Sequence, residues 1–322
     1  VCLLYGVLED ADIITRSAII TNSGQENLVI EKAASACLDF LVGDYELIHF
    51  HGRHTMERNR ERIPVSHTEI KVESRRGASS HQHNPGVILA EHNTTEDYGN
   101  CYGMLFVYSG NFMCESGKDQ FDQTRLVMGL QSEQFHYRLK HGQSLIVPET
   151  ILSFSDKGFS GLSLKYHDCI RRHICRGKYA NSPRPVLLNS WEAAYFDFNG
   201  NTIINLAKEA ADLGIDLVVM DDGWFGNRDS DNSGLGDWIV NEQKLGCSLN
   251  ELVKCVNKQG VKFGIWIEPE MVSEDSNLYR EHPDFVLQIP GRQPIRSRNQ
   301  LVLDFSREEV RENIFKQICS VL

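Results

Sequence analysis

Two adjacent acids, Asp221 and Asp222, close the apolar run in "LVVMDDGWFG", residues 217–226. Neighbouring carboxylates repel, so a chain gains little by setting them at the mouth of a hydrophobic segment unless something binds them. Two further stretches carry similar side chains. Asn189, Ser190, Trp191 and Glu192 follow "PVLL", and Trp266, Glu268 and Glu270 lie within "VKFGIWIEPEMV". A carboxylate accepts two hydrogen bonds at once from vicinal hydroxyls, and an indole offers a flat apolar face to the C–H side of a sugar ring. Either type alone has a blander use. A strand-end acid commonly caps a helix, a lone Trp191 or Trp266 commonly fills a core, and Glu268 and Glu270 around Pro269 could anchor a turn. The coincidence of acids and indoles at three strand ends predicts a carbohydrate site. On residue types alone, Asp222 and Glu268 would be the first choice for a catalytic pair of carboxyl groups.

Competing chemistries find less support. "DSDNSGLGDWIV" begins like a calcium loop, with Asp229, Asp231, Ser233, Gly234 and Asp237 at suitable positions, but Val240 stands where a bidentate glutamate belongs. A polar loop flanking a pocket is the better expectation. His81 and His83 in "SSHQHNPG" lack an evident third metal ligand and read as a polar loop. There is no Gly-x-Ser-x-Gly elbow and no phosphate-binding glycine loop.

The elements that must position these residues follow from periodicity. Up to about residue 155 the chain reads as β. "TEIKVES" alternates Ile70 and Val72 with Lys71 and Glu73, "DYELIHFHG" is rich in aromatic and branched residues, and "MLFVYSG" reads as a strand buried on both faces. Many short strands predict a sandwich of antiparallel sheets over residues 1–160. Residues 161–183 read as a connecting helix, with Tyr166, Ile170 and Ile174 on one side, and a linker "GKYANSPRP". From residue 184 to 322 strands and helices alternate. "PVLLNSWEA", "IDLVVMDDGW", "VKFGIWIEPEMV" and "NQLVLDFS" are the expected strands, and a helix follows from about Arg307. "NTIINLAKEAADLG" is a helix closed by Gly214; "SLNELVKCVNKQG" opens on a Ser248/Glu251 capping box and closes at Gly260. This rhythm predicts a parallel sheet, either doubly wound or the first half of a (β/α)8 barrel, with ligands at the carboxyl ends of its strands. Strand alternation would turn Trp266, Glu268 and Glu270 to one face and Ile265 and Ile267 to the other.

Composition sets outer bounds. The 322 residues are 41% hydrophobic and 24% charged, as in a globular chain, and the net charge of −11 argues against nucleic acid or an anionic membrane as partner. No run of about 18 apolar residues is present, so no helical membrane span is expected. Nine scattered cysteines without zinc spacing read as reduced thiols, which predicts a cytoplasmic protein. The opening Val-Cys-Leu-Leu and the uncapped helical pattern at Leu322 read as cut ends, so a longer parent protein is expected.

"LNSWEAAYFD", "MDDGWFG", "GIWIEPEMVS" and "SRNQLVLDFS" together resemble the microbial α-galactosidases of glycoside hydrolase family 36. In the β half, "VLEDADIITRSAI", "SRRGASSHQHNPG", "TTEDYGNCYGM" and "VYSGNF" extend the resemblance to almost the whole chain. It implies a β-supersandwich lacking its N-terminal part, then the first half of a (β/α)8 catalytic barrel. It implies hydrolysis of terminal α-galactosides of the melibiose and raffinose type, with retention, no metal and no cofactor, in a homo-oligomer, often a tetramer. Carried over by motif, Asp221 and Asp222 would accept hydrogen bonds from galactose hydroxyls near O4 and O6. Trp191 and Trp266 would wall the pocket, and Arg298 in "SRNQ" would be a further polar contact. His54 in "HGRHTMER" stands where relatives commonly carry tryptophan and would lie at the rim. The family's nucleophile sits in a Lys-Trp-Asp motif, which is absent here, so it and the later acid/base are expected beyond Leu322. The resemblance therefore makes the strand-end acids, Asp222 and Glu268, binders rather than nucleophile or acid. An α-N-acetylgalactosaminidase, a galactosyl-transferring relative or a non-catalytic sugar-binding protein are the alternatives.

Overall fold

In "TEIKVES", Val72 is buried and Lys71 exposed, the alternation of a strand with one covered face. The computed structural model describes all residues, Val1–Leu322, in two units, Val1–Ser182 and Pro183–Leu322. The first unit contains the strands β1 (Cys2–Leu8), β2 (Ile13–Thr21), β3 (Leu28–Ile30), β4 (Ala34–Phe40), β5 (Tyr45–Arg53), β6 (Met56–Pro64), β7 (Ile70–Glu73), β8 (His83–Glu91), β9 (Cys101–Phe106), β10 (Phe112–Lys118), β11 (Thr124–Leu130), β12 (Tyr137–Leu139) and β13 (Ser144–Ser155). They form a seven-stranded sheet in the order β1-β2-β13-β9-β8-β5-β6, a four-stranded sheet in the order β4-β11-β10-β7, and the pair β12-β3. Every pairing is antiparallel.

The two larger sheets meet through one apolar core. Leu47, Leu89, Met104 and Val147 from the larger sheet join Val72, Phe112, Leu126 and Met128 from the smaller. On its other face the seven-stranded sheet buries Ile13, Ile48, Ala90 and Ile151 beneath Phe159, Leu162 and Tyr166 of the helix α1 (Gly158–Cys169). A central strand covered on both faces reads as a nearly continuous apolar run, which accounts for "MLF" in β9. The run ends sooner than expected, because Val107 and Tyr108 lie beyond the strand and are exposed. The expected connecting helix is likewise corrected. It belongs to the first unit, and Tyr166 packs so closely that a Cβ on Gly103 would lie 2.5 Å from its ring. Ile170 and Ile174 fall in a π-turn after α1, with Ile174 exposed, so the apolar stripe is broken after Tyr166. His83 opens β8 rather than lying in a loop.

The second unit is built on three parallel strands, β14 (Leu187–Asn189), β15 (Leu217–Met220) and β16 (Lys262–Ile265), in the order β14-β15-β16. A short helix α2 (Trp191–Ala194) follows β14, and α3 (Gly200–Asp212) leads to β15. After β15 come α4 (Glu242–Leu245) and α5 (Leu249–Lys258), and α5 leads to β16. Ile203 and Ala207 of α3 and Leu252 and Val256 of α5 share a core with Val218 and Met220 of β15. Both expected stop signals have left-handed backbones, Gly214 at φ 77° and Gly260 at φ 91°, and the Ser248/Glu251 capping box is formed.

Three expected strands are shorter than their apolar runs. β14 stops at Asn189 because its side-chain oxygen accepts from the Trp191 amide at 2.8 Å, turning "WEA" into α2. β16 stops at Ile265, so Trp266, Glu268 and Glu270 lie beyond the ladder; Glu270 is exposed while Glu268 is partly covered, which breaks the expected shared face. "NQLVLDFS" supplies only β18 (Leu301–Val302), antiparallel to β17 (Met271–Val272), not a fourth parallel strand. Between these lies α6 (Asn277–Glu281), and α7 (Glu308–Val321) begins next to Arg307 as expected.

Candidate carbohydrate site

The parallel strands stop together, and their ends are cross-linked. The Asp221 backbone amide donates to Ser190 Oγ at 3.1 Å, and Asn189 Nδ2 donates to Asp221 Oδ2. The Asp222 amide donates to the other oxygen, Asp221 Oδ1, at 2.7 Å. Gly223 then bends the chain away with φ 101°, and a Cβ there would come within 3.0 Å of Phe196. Asp221 is 9% exposed and Asp222 3%. Two acids buried side by side need compensation, and for Asp222 it is Arg228, itself 0% exposed. Arg228 Nε donates to Asp222 Oδ1 at 3.0 Å and Nη2 to Oδ2 at 2.8 Å, a two-pronged ion pair. The Phe196 ring lies 5.6 Å from the Arg228 guanidinium, and Trp191 packs edge-on against Phe196 at 5.1 Å. Trp191 is thus tied to the acid pair through Phe196 and Arg228.

Trp266 continues from β16, its amide donating to Met220 O at 3.0 Å, so it sits beside the end of β15. It is half-buried and lies 6.2 Å from Trp238. Trp224 is not part of an open wall: it is fully buried and its Nε1 donates to Trp266 O at 2.9 Å. Glu268 Oε2 is buried without a hydrogen-bond partner. Burial pushes this carboxyl above the ordinary glutamate range, the positive charges of Arg298 and Arg228 oppose the shift, and Asp222 and Glu270 reinforce it. Arg298 reaches the same region through Asp231, donating to its Oδ1 at 2.7 Å.

Asn189, Ser190, Trp191, Asp221, Asp222, Trp266, Glu268 and Arg298 therefore form one neighbourhood. Glu192 points elsewhere, accepting from Tyr195 Oη at 3.0 Å. His54 is exposed in the turn between β5 and β6, in the first unit. Sequence reasoning missed Arg228. The signal was the unpaired charge itself, with the compensating arginine six residues on in "DDGWFGNR". The calcium-like loop spends its acids on protein groups. Asp229 pairs with Lys244 at 3.1 Å, Asp231 with Arg298, and Asp237 accepts from the amides of Asn277 and Leu278 at 2.8 and 2.9 Å. Buried acids and half-buried indoles at the carboxyl ends of parallel strands can grip a polyol through several acceptors and an apolar face.

Known proteins resemble this chain over its whole length. The melibiase family model matches residues 144–322, and the glycosyl hydrolase family 36 N-terminal domain matches residues 1–140. The bifunctional α-galactosidase/sucrose kinase AgaSK of Mediterraneibacter gnavus is 64% identical over 99% of the chain, which covers 34% of that protein. The α-galactosidase AgaA of Geobacillus stearothermophilus is 48% identical over 100% of the chain, which covers 44% of it. The solved galactosidase domain of AgaSK superposes with a TM-score of 0.97, and a double variant of AgaA in complex with raffinose also gives 0.97; each match takes in 99% of this chain and 44% of the solved one. The chain thus spans less than half the length of these relatives. With over half of its residues in the melibiase match and nearly all the rest in the N-terminal domain, the chain belongs to glycosyl hydrolase family 36.

Proposed function

We propose that the chain is part of an α-galactosidase that hydrolyses terminal non-reducing α-D-galactosyl residues of melibiose- and raffinose-type sugars with retention. The observation that carries this reading is the buried, cross-braced Asp221–Asp222 pair at the carboxyl end of β15, the central strand between β14 and β16. Relatives named as α-galactosidases support it, and variants of AgaA have been solved in complex with raffinose and with stachyose. In this reading Asp221 and Asp222 accept hydroxyls near galactose O4 and O6. Trp191 and Trp266 cover the ring, and Arg298 donates to it. Asp222 is suited to binding rather than attack: an oxygen pair held by a buried guanidinium is fixed and poorly nucleophilic, yet keeps free lone pairs.

The nucleophile and acid/base then come from the parent protein beyond Leu322, on further strands of a (β/α)8 barrel whose first half is the second unit, and the sheets of the first unit are part of a β-supersandwich. An uncovered apolar surface fits this. Phe315 of α7 is 68% exposed beside a cavity of about 470 Å³ that Pro269 and Phe305 also line. The nine unbridged thiols fit a reducing, cytoplasmic setting, and family resemblance extends the reading to a homo-oligomer. The decisive experiment is a screen of the full-length gene product on p-nitrophenyl α- and β-galactosides, the α-N-acetylgalactosaminide and raffinose. Turnover of the α-galactoside and raffinose is expected. Turnover of the β-anomer alone, or of none, removes the reading, and preference for the N-acetylated sugar moves it to the sister activity.

A further inference from the structure

Arg298 stands at the tip of a two-residue hairpin. Ser297 and Gln300 exchange both backbone hydrogen bonds, at 3.1 and 2.9 Å, and Gln300 is buried. The two residues between them are left-handed, Arg298 at φ 53° and Asn299 at φ 60°. Such tips favour Asn-Gly or Asp-Gly, and an L-residue with a long side chain pays roughly 1–2 kcal/mol to adopt this backbone. The tip is not arginine's own preference, so contacts from outside the hairpin must help to hold it.

Two such contacts come from the loop after β15. Arg298 Nη2 donates to Asp231 Oδ1 at 2.7 Å, and Asn299 Nδ2 donates to Asn232 Oδ1 at 3.0 Å. That loop is itself anchored. Arg228 Nη1 donates to Ser233 O at 2.9 Å, and the Gly234 amide donates to Asp275 O at 2.6 Å. Asp231 Oδ1 also lies 3.9 Å from Arg228 Nη2, the atom that binds Asp222. Charges therefore alternate along one line, Asp222, Arg228, Asp231, Arg298, from the buried acid pair to the exposed tip.

We infer that Asp231, assisted by Asn232, is a positioning residue: it clasps the Arg298 hairpin so that the guanidinium is held in a set geometry beside the acid pair before sugar arrives. The inference rests on Arg298 being a sugar contact, as in the function proposed above. The ion pair is half-exposed, Arg298 at 56% and Asp231 at 50%, so it contributes little to stability. Its contribution is orientation, because a solvated arginine on a strained turn would otherwise have to be ordered at each binding event.

In the full-length enzyme, D231N and D231A should raise KM for p-nitrophenyl α-galactoside roughly tenfold, the lower end for a charge-assisted hydrogen bond, with kcat changed much less. D231E should recover part of the loss. In an R298A background, D231A should add nothing, since it acts through the missing arginine; a general folding role would add its full cost in both backgrounds. An ordinary KM in D231N, or an undiminished effect of D231A in R298A, overturns the clasp. Should D231A fail to fold, the near-isosteric D231N and N232A carry the test, with N232A expected to raise KM more weakly. A readout without turnover keeps the two levels apart. A crystal structure of D231N should show the Arg298 side chain displaced, and an unmoved Arg298 sinks the clasp. An inactive wild-type enzyme sinks the galactosidase reading instead.

Discussion

Asp222 serves the fold through Arg228 and, in the proposed function, also the ligand. Asn at this position keeps the shape but leaves Arg228, wholly buried, facing a neutral amide. Breaking a buried pair from one side costs about 3–5 kcal/mol of stability. Asp222→Asn should therefore melt at a lower temperature and also bind galactosides more weakly by roughly 1.5–3 kcal/mol. Calorimetric titration of the full-length protein, at a temperature where the variant is folded, separates the two effects; unchanged affinity would remove Asp222 from the binding set. Glu268 calls for the opposite experiment. Burial raises its carboxyl above the ordinary range, so the native state holds this proton more tightly than the unfolded chain does. Its contribution to stability is fully present below the unfolded-state value and is lost as pH rises through the raised native value. Glu268→Gln should melt higher than wild type near neutral pH, and the gap should close in acid. Melting curves across pH check this, and a gap independent of pH would mean that Glu268 is not held in an unfavourable charged state. At this scale the acids and indoles were legible as oddities of type and position. Arg228 was not, because the unpaired acids announce the need for a cation without marking which nearby arginine will meet it.

Elements whose signals are local came through the sequence intact. The capping box on α5 is an example: Ser248 Oγ accepts from the Glu251 amide at 3.3 Å, and Glu251 Oε2 accepts from the Ser248 amide at 3.0 Å. Four residues contain the whole device, so reading them sufficed. Ser248→Ala should cost about 1 kcal/mol, seen as faster amide exchange along Leu249–Lys258 in the full-length protein. Exchange at the wild-type rate would show that packing of Leu252 and Val256, rather than the cap, sets this helix's stability. Elements whose ends depend on distant partners were misread. "WEA" has the composition to extend β14, but Asn189 captures the Trp191 amide and ends the strand. "NQLVLDFS" has a strand's apolar run, but the partner it meets is Met271–Val272, antiparallel, and only two residues pair. Periodicity reports which face a segment can bury, not which neighbour it will find.

At the scale of the molecule, the sheet of the second unit has three parallel strands, and β14 and β16 are its edges. Exposed edges invite pairing with other chains, and a closed barrel removes them. In the first unit β1 is also an edge, with Leu3, Leu4, Tyr5 and Val7 exposed along it. The chain spans 44% of AgaA and leaves such surfaces open; under the proposed function, the remaining part of a longer protein covers them and supplies the reacting carboxyls. These 322 residues expressed alone should therefore aggregate readily and release no nitrophenol from p-nitrophenyl α-galactoside, while the full-length product does. Light scattering and a colorimetric assay on matched preparations decide it. The contrary result would have a definite meaning. Retention needs two carboxyl groups about 5–5.5 Å apart across the scissile bond. If the short chain turned over substrate, both would have to come from the acids present here. Glu268, with a raised carboxyl and an unpartnered oxygen, would then be the candidate acid, and Asp222 would have to leave Arg228 to attack. Loss of that turnover in Glu268→Gln would establish the pair, and its persistence would point to contamination by another glycosidase.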